Sequence, residues 1–428
     1  MNNDPRSHGL WEASAPAAPA TSCLTGQEQA VDVAIVGGGF TGLSAALHLS
    51  EGGAGVAVLE AEELGFGASG RNVGLVNAGL WIMPQALSAL LGPVYGPRLT
   101  QALGNAPDRV FELVSKHGMD CQPVRNGTLH CAVGAGGWRE IQMRWRQWKQ
   151  LGAPVELLGA EDTARALGTQ AYLGSLLDRR AGTIQPLAYV RGLARAASEA
   201  GAQLYTHSRV MAVQDQGGYW QVRTEHGSLN ALWVVVATDA YTDTIWPELQ
   251  RQQIRLPYFN MATRPLDPRR YAHILTNREG AWDTRTMLSS FRLDQAGRLI
   301  FGSVGALRGI GARIHENWGR RALRRLYPEL GEVVFDYEWY GHIGMTCDAL
   351  PRFHQLARKT VSITGYNGRG IAPGTVMGRE LARFILGEID IADLSLPWSD
   401  PEIAPFKSAR EMLYEYGAIA AHAVSDRG

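Results

Sequence analysis

The feature that most narrows what this chain can fold into is a glycine pattern set between two apolar runs. Val31–Val36 (VDVAIV) is a short run of the kind a parallel sheet buries on both faces. Gly37-x-Gly39-x-x-Gly42 follows at once, and Leu43–Ser50 (LSAALHLS) then has helical spacing. Gly52 and Gly53 close that helix, and Val56–Glu60 (VAVLE) reads as a second buried strand with an acid at its end. The spacing predicts a strand–helix–strand unit in which every special residue has a task. Gly37 permits a tight turn, Gly39 lets the backbone approach a pyrophosphate, and Gly42 lets the helix lie close to the sheet. Phe40 and Thr41 fall in the same turn, at the helix N-terminus, where the helix dipole favours phosphate. Glu60 is placed to accept hydrogen bonds from a ribose diol, and an acid there argues against a 2′-phosphate and so against NADP.

FAD and NAD share this fingerprint, and two further glycine-rich stretches bear on the choice. Gly65-Phe66-Gly67-Ala68-Ser69-Gly70-Arg71-Asn72-Val73-Gly74 follows the second strand. Its small residues let the chain lie against a flat ring system, and Ser69, Arg71 and Asn72 offer donors to phosphate and flavin edges. The plain alternative is a glycine-rich surface loop. Val361–Thr364 (VSIT), another buried strand, runs into Gly365-Tyr366-Asn367-Gly368-Arg369-Gly370-Ile371-Ala372-Pro373-Gly374. The N–H groups of that loop suit an electron-rich oxygen such as the flavin C2 carbonyl; a structural strand–helix turn is the alternative.

With 428 residues the chain is too long for one ordinary core. The first 30 or so residues, rich in Ala, Pro and Ser, read as an extended arm. Pro84–His117, Trp138–Leu151, Tyr189–Gly201, Trp318–Tyr327 and Thr375–Leu386 read as helices. Gln203–Val213, Trp220–Thr224, Trp233–Ala237, Phe259–Arg264, Met287–Phe291 and Arg298–Ser303 read as strands, the last three in a second sheet. The expected architecture is α/β: a Rossmann-like FAD-binding domain with an inserted α+β substrate domain on a mostly antiparallel sheet. The boundaries drawn are an arm over 1–30, a discontinuous FAD-binding domain over 31–100, 180–245 and 340–428, and a substrate-binding domain over 101–179 and 246–339.

Composition excludes several classes. Lys plus Arg and Asp plus Glu both number 41, so charge gives no case for nucleic acid or an anionic membrane. No run of apolar residues is long enough to cross a bilayer as a helix, and the N-terminus lacks a basic start followed by an apolar core. Cys23, Cys121, Cys131 and Cys347 show no CxxC spacing, and the simplest reading is a reduced, cytoplasmic protein. No metal-ligand spacing is present, so no metal is expected. Lys116, Lys149, Lys359 and Lys407 are the only lysines, which limits any chemistry that needs one.

Taken together, VDVAIVGGGFTGLSAALHL, GFGASGRNVGLVNAGL, AGTIQPLAYVRGLARAASEAGA, WVVVATDAYT and GYNGRGIAPGT resemble the D-amino-acid oxidase superfamily of flavoproteins, over nearly the whole chain. Within it, GASGRNVGLVNAGLW with GYNGRGIAPGT is most similar to bacterial L-pipecolate oxidases of lysine catabolism. The arm with Trp11 fits the family too. The resemblance implies FAD as cofactor. Gly37, Gly39, Gly42 and Glu60 would bind its ADP half; Ser69, Arg71, Asn72 and Gly74, with Ala68, would contact pyrophosphate and isoalloxazine. Val210 would place its backbone near adenine, and Gly368, Arg369, Gly370, Ile371 and Ala372 would lie by the pyrimidine ring. Some relatives bind flavin through a cysteine just before this segment; the equivalent here falls at Ile343, with Cys347 four residues on, so non-covalent FAD is expected. The arginine that glycine oxidases place there is missing. The lysine of sarcosine oxidases after the C-terminal turn corresponds to Ala372, and their lysine over the flavin corresponds to Ile300.

Candidates for the substrate pocket are therefore Tyr258, Arg292, Tyr340, His342 and Arg369, with Trp81, Trp282 and Trp339 as walls. Arg292 and Arg369 suit a carboxylate; each has a structural alternative, as does His342. The expected reaction is oxidation of the C–N bond of a small amino or imino acid, L-pipecolate first, with γ-glutamylputrescine, sarcosine or a D-amino acid as alternatives. Oxygen, a quinone or another respiratory acceptor would take the electrons. An NAD-dependent dehydrogenase and a non-catalytic flavin subunit are the competing classes.

Overall fold

The computed structural model describes residues 8–425. Its centre is the strand Gly26–Val36, which begins earlier than the apolar run suggested. It pairs in parallel with Val56–Leu59 on one side and Gly227–Val236 on the other. Val56–Leu59 pairs onward with Gln203–Tyr205, and Gly227–Val236 with Thr360–Thr364, both in parallel. The helix Phe40–Glu51 connects the first two strands, so the glycine-rich turn stands at the strand order's switch point, where such sheets open a crevice. Gly37 has φ +111°, and a Cβ there would meet the carbonyl of Ala237 at 2.7 Å. Only glycine combines that backbone with that close approach.

A second sheet runs in the order Phe335–Met345, Ile254–Pro265, Arg298–Val304, Ser289–Leu293, Gly280–Asp283, Thr128–Cys131, Gly174–Asp178, Val155–Gly159. One pair in it is parallel, Gly280–Asp283 with Thr128–Cys131; the others are antiparallel. The mixed architecture and the mostly antiparallel second sheet are as the sequence implied. Two segments fall across the drawn boundaries. The strand Phe335–Met345 belongs to the second sheet, and the C-terminal helix Lys407–Val424 packs on that sheet's strand Ile254–Pro265. That helix was not foreseen.

Other differences have local causes. Pro84–His117 is two helices, Pro84–Gly104 and Ala106–Lys116, and the first is kinked where Gly92 is non-helical before Pro93. Gln203–Val213 splits into Gln203–Tyr205 and Val210–Asp215, with His207 at positive φ between them. The N-terminal segment is no free arm, although residues 1–7 lie outside the described ones. Leu10–Ser14 is a short helix, and Trp11 is fully buried edge-on to Trp339. The Trp11 indole donates to the Asn72 carbonyl at 2.8 Å and Gln185 donates to the Trp11 carbonyl at 2.8 Å. Residues close to the start of the chain thus brace the loop that follows the second strand.

Candidate active site

A cavity of about 990 Å³ runs from the turn after the first strand to the second sheet. Its volume sits at the top of the range for small-molecule sites. Gly37, Gly39, Phe40 and Thr41 line one end, with Glu60 and Val210 beside them. Gly39 precedes the helix and brings no capping side chain; Ser69 Oγ, from the next loop, accepts from the Phe40 N–H at 3.1 Å. The helix N-terminus therefore opens onto the cavity and provides its positive pole. Glu60 takes the Gly38 N–H on one carboxylate oxygen at 2.7 Å and the Glu62 N–H on the other at 3.0 Å. Each oxygen retains a lone pair for a further donor. Burial raises the Glu60 pKa, and these N–H bonds oppose the rise.

Arg71 enters from the loop below. Its guanidinium lies 4.3 Å from the Phe66 ring centre, and its Nε and Nη2 are buried without a hydrogen-bond partner. Its carbonyl is fixed by Asn260 and by the Trp339 indole, both at 3.0 Å. Gly368, Gly370 and Ile371 line the far side, at the start of the helix Ile371–Ile385. Asp239, which sequence reasoning missed, also lines the cavity. It holds the Gly365 N–H at 2.8 Å, its own φ is +41°, and burial raises its pKa to about 6. A positive φ at an aspartate leaves no mark in the sequence. Tyr241, another lining residue unforeseen, accepts from the His342 backbone N–H at 3.1 Å.

The substrate candidates divide. Arg369, Tyr258 and His342 line the cavity, as do Trp81 and Trp282. Arg369 sits between the two tryptophan rings, 4.6 Å and 4.9 Å from their centres. Its Nη1 donates to the Ala78 carbonyl at 3.0 Å, its Nε is buried without a partner, and burial lowers its pKa to about 9. The Trp81 indole is anchored to the Asn367 carbonyl at 2.6 Å. Tyr258 shares a 2.6 Å hydrogen bond with Ser290, and burial raises its pKa. Burial, then the charges of Arg255, Arg308 and Arg71, lower His342 to about 4, so its imidazole is neutral at pH 7.

Several expectations need correction. Arg292 lies within the strand Ser289–Leu293, on the face of Ser290 but two residues further along. There the N-terminal segment covers it: the guanidinium donates to the Ile184 carbonyl and faces Trp11. It is a buried brace away from the cavity. Tyr340 belongs to the hydrophobic core of the second sheet, and Trp339 to the cluster around Trp11. Gly74 is a packing position, since a Cβ would meet the Ile184 carbonyl at 2.1 Å. Asn72 does line the cavity; its side chain gives both amide bonds to the carbonyls of Ala68 and Ser69 and takes the Gly74 N–H on its Oδ1, so it also shapes the loop. Ala372 is buried in the first core, outside the cavity lining. Gly42 has the close packing expected of it, its absent Cβ leaving room for the Gly37 carbonyl, and it does not line the cavity. Among the described residues no lysine lines the cavity, and Ile300 is buried beneath Trp11 and Trp339.

A parallel-sheet body whose switch point opens into one long cavity with the antiparallel sheet defines a two-body dinucleotide-binding enzyme. The sequence matches the DAO family, FAD dependent oxidoreductase, over residues 32–384, and the chain belongs to that family. It is 30% identical over 426 residues to the probable oxidoreductase OrdL of Rhizobium meliloti (strain 1021), covering 98% of this chain and 97% of that one. It is 30% identical over 400 residues, 91% of each chain, to gamma-glutamylputrescine oxidoreductase of Escherichia coli (strain K12). In structure it is similar to glycine oxidase from Geobacillus kaustophilus, with TM-score 0.70 at 20% identity over 89% of this chain and 98% of that one. The chain is thus an FAD-dependent oxidoreductase of the group acting on amines or amino acids.

The residues present fit FAD. The uncapped helix N-terminus and the unpartnered Arg71 nitrogens suit phosphate, and Glu60 suits a ribose. Ile343 lines the cavity where a linking cysteine would stand, whereas Cys347 is exposed and outside it, near Arg410. Acid precipitation is therefore expected to release the yellow colour into the supernatant. Colour retained in the pellet would mean a covalent link.

Proposed function

We propose that the chain oxidises the C–N bond of a small amino or imino acid, L-pipecolate first, and passes the electrons to a quinone-type acceptor. The observation that carries this reading is Arg369, a buried guanidinium with an unpartnered nitrogen, framed by Trp81 and Trp282 in the cavity that Gly39 and Glu60 also line. A guanidinium so placed suits the carboxylate of the substrate, and two flat indoles suit a saturated ring. The gamma-glutamylputrescine relative favours a second reading, in which a longer amine carries its carboxylate away from the reacting carbon.

Bound FAD supplies a two-electron acceptor for hydride from the carbon next to nitrogen. The chain's own part is to bind, orient and exclude water. Arg369 would fix the carboxylate, the indoles would fix the plane of the ring, and Tyr258 with Ser290 would offer hydroxyls to the amine. The acids lining the cavity, Glu60, Glu62, Asp239 and Asp243, belong to the dinucleotide end, so among the described residues no carboxylate stabilises an ammonium at the substrate end. The amine would react neutral, and no separate protein base is required. In this reading Gly37, Gly39, Phe40, Thr41, Glu60, Ala68, Ser69, Arg71, Val210, Gly368, Gly370 and Ile371 hold the cofactor. The parallel sheet is its binding body and the antiparallel sheet the substrate body. The cytoplasm, with its reduced thiols, is the proposed location.

The test is a turnover panel of L-pipecolate, L-proline, sarcosine, γ-glutamylputrescine and D-alanine, run with oxygen and with a soluble quinone. The lack of a cavity lysine leads us to expect slow turnover on oxygen and fast turnover on quinone, with L-pipecolate giving the highest kcat/KM. Equal speed on oxygen would refute the acceptor, and a different leading amine would refute the substrate.

A further inference from the structure

The C-terminal helix Lys407–Val424 lies beyond the stretch that defines the family, residues 32–384, yet it lines the substrate end of the cavity through Leu413, Tyr414, Gly417 and Ala418. Leu413 is both a lining residue and 67% exposed, so the cavity meets solvent beside it. Met287 and Leu288, from the segment before Ser289, and Val304 line the same cavity. The helix is tied down on its other side, where Arg308 donates to both carboxylate oxygens of Glu415. It is also held by the buried contact between His315 and His422 at 2.8 Å.

Gly417 is the telling position. Glycine is the poorest helix former after proline, and this one stands inside a long helix with ordinary helical φ. Several interior helix glycines have a packing reason: a Cβ on Gly378 would meet the Thr41 carbonyl at 2.4 Å, and one on Gly192 would meet Met119 at 2.8 Å. A Cβ on Gly417 would find no neighbouring atom within 4 Å. Neither backbone nor packing asks for glycine, and the space it leaves open belongs to the cavity.

Resting on the functional reading above, we propose that Gly417 and Leu413 form the substrate portal, and that they set the size and charge of what enters: compact amino or imino acids with apolar side chains. Among the described residues the carboxylates lining the cavity are Glu60, Glu62, Asp239 and Asp243, and the apolar lining includes Leu413, Met287, Leu288 and Val304, so a cationic tail finds no lining carboxylate beside Leu413. A longer side chain at 417 would narrow the passage without touching the cofactor end.

Holoenzymes carrying Gly417→Leu and, at the exposed rim, Leu413→Trp test this, with Ala420→Leu, exposed and outside the lining, as control. Acrylamide quenching of flavin emission reads access directly and needs no substrate. Both portal variants are expected to keep full FAD absorbance, to lower the quenching constant at least twofold, and to lower kcat/KM for L-pipecolate about tenfold, with a smaller loss for sarcosine. The control is expected to match wild type. Unchanged quenching in a folded Gly417→Leu or Leu413→Trp holoenzyme would overturn the portal. Reduced quenching with no amino acid oxidised would support the portal and refute the functional reading instead.

Discussion

The Gly39→Val protein is expected to purify folded and colourless. Gly39 lies where the chain leaves the first strand for the helix Phe40–Glu51, and a Cβ there would meet Ser69 Oγ at 2.8 Å. The valine branches add bulk toward the opening that phosphate must occupy, and they push away the one side chain that accepts the Phe40 N–H. Both effects fall on the helix N-terminus, the positive pole of the cofactor end. A loss of FAD affinity of roughly 100-fold or more follows, on the order of 3 kcal/mol. Circular dichroism separates this from misfolding, since the sheet's hydrogen bonds do not involve residue 39. A folded variant with full FAD content would remove this turn from the cofactor site.

Arg369→Leu is expected to keep its FAD and to lose kcat/KM by about 100-fold or more, the cost of removing a buried charged hydrogen-bond partner from bound substrate. Leucine retains much of the apolar contact with Trp81 and Trp282, so the cavity wall survives. Arg369→Lys restores charge without the planar fork and is expected to recover only part of the loss. The defect belongs chiefly in KM, because a carboxylate anchor acts on the bound substrate and on the transition state alike. Wild-type kcat/KM in Arg369→Leu would move the anchor to another residue. Arg292 is no substitute, since it is sealed under Trp11 and committed to the Ile184 carbonyl.

The cofactor end was legible because glycine spacing, apolar runs and a terminal acid each report on backbone geometry over short distances. Gly37, Gly39 and Glu60 stand where those rules put them. The substrate end was less legible, because its residues meet only through tertiary packing. Strand alternation told which face Arg292 is on but not that residues 11 and 184 would cover it. Tyr340 lies two residues from His342 on the same strand, yet the core of the second sheet takes it. Asp239 gave no sign, since its role depends on a positive φ at the end of a strand. The helix Lys407–Val424 contributes a cavity wall from over 100 residues beyond the strands it covers, and a glycine inside its run was the available hint.

The central claim is that this cavity brings a small amino or imino acid to FAD for oxidation at its C–N bond. The most direct test is an anaerobic titration of the purified holoenzyme with L-pipecolate, followed through the flavin band near about 450 nm. The account predicts complete bleaching at one equivalent of substrate oxidised per flavin, with the matching imine as product. A flavin that stays fully oxidised in the presence of L-pipecolate, L-proline, sarcosine and γ-glutamylputrescine alike would contradict it.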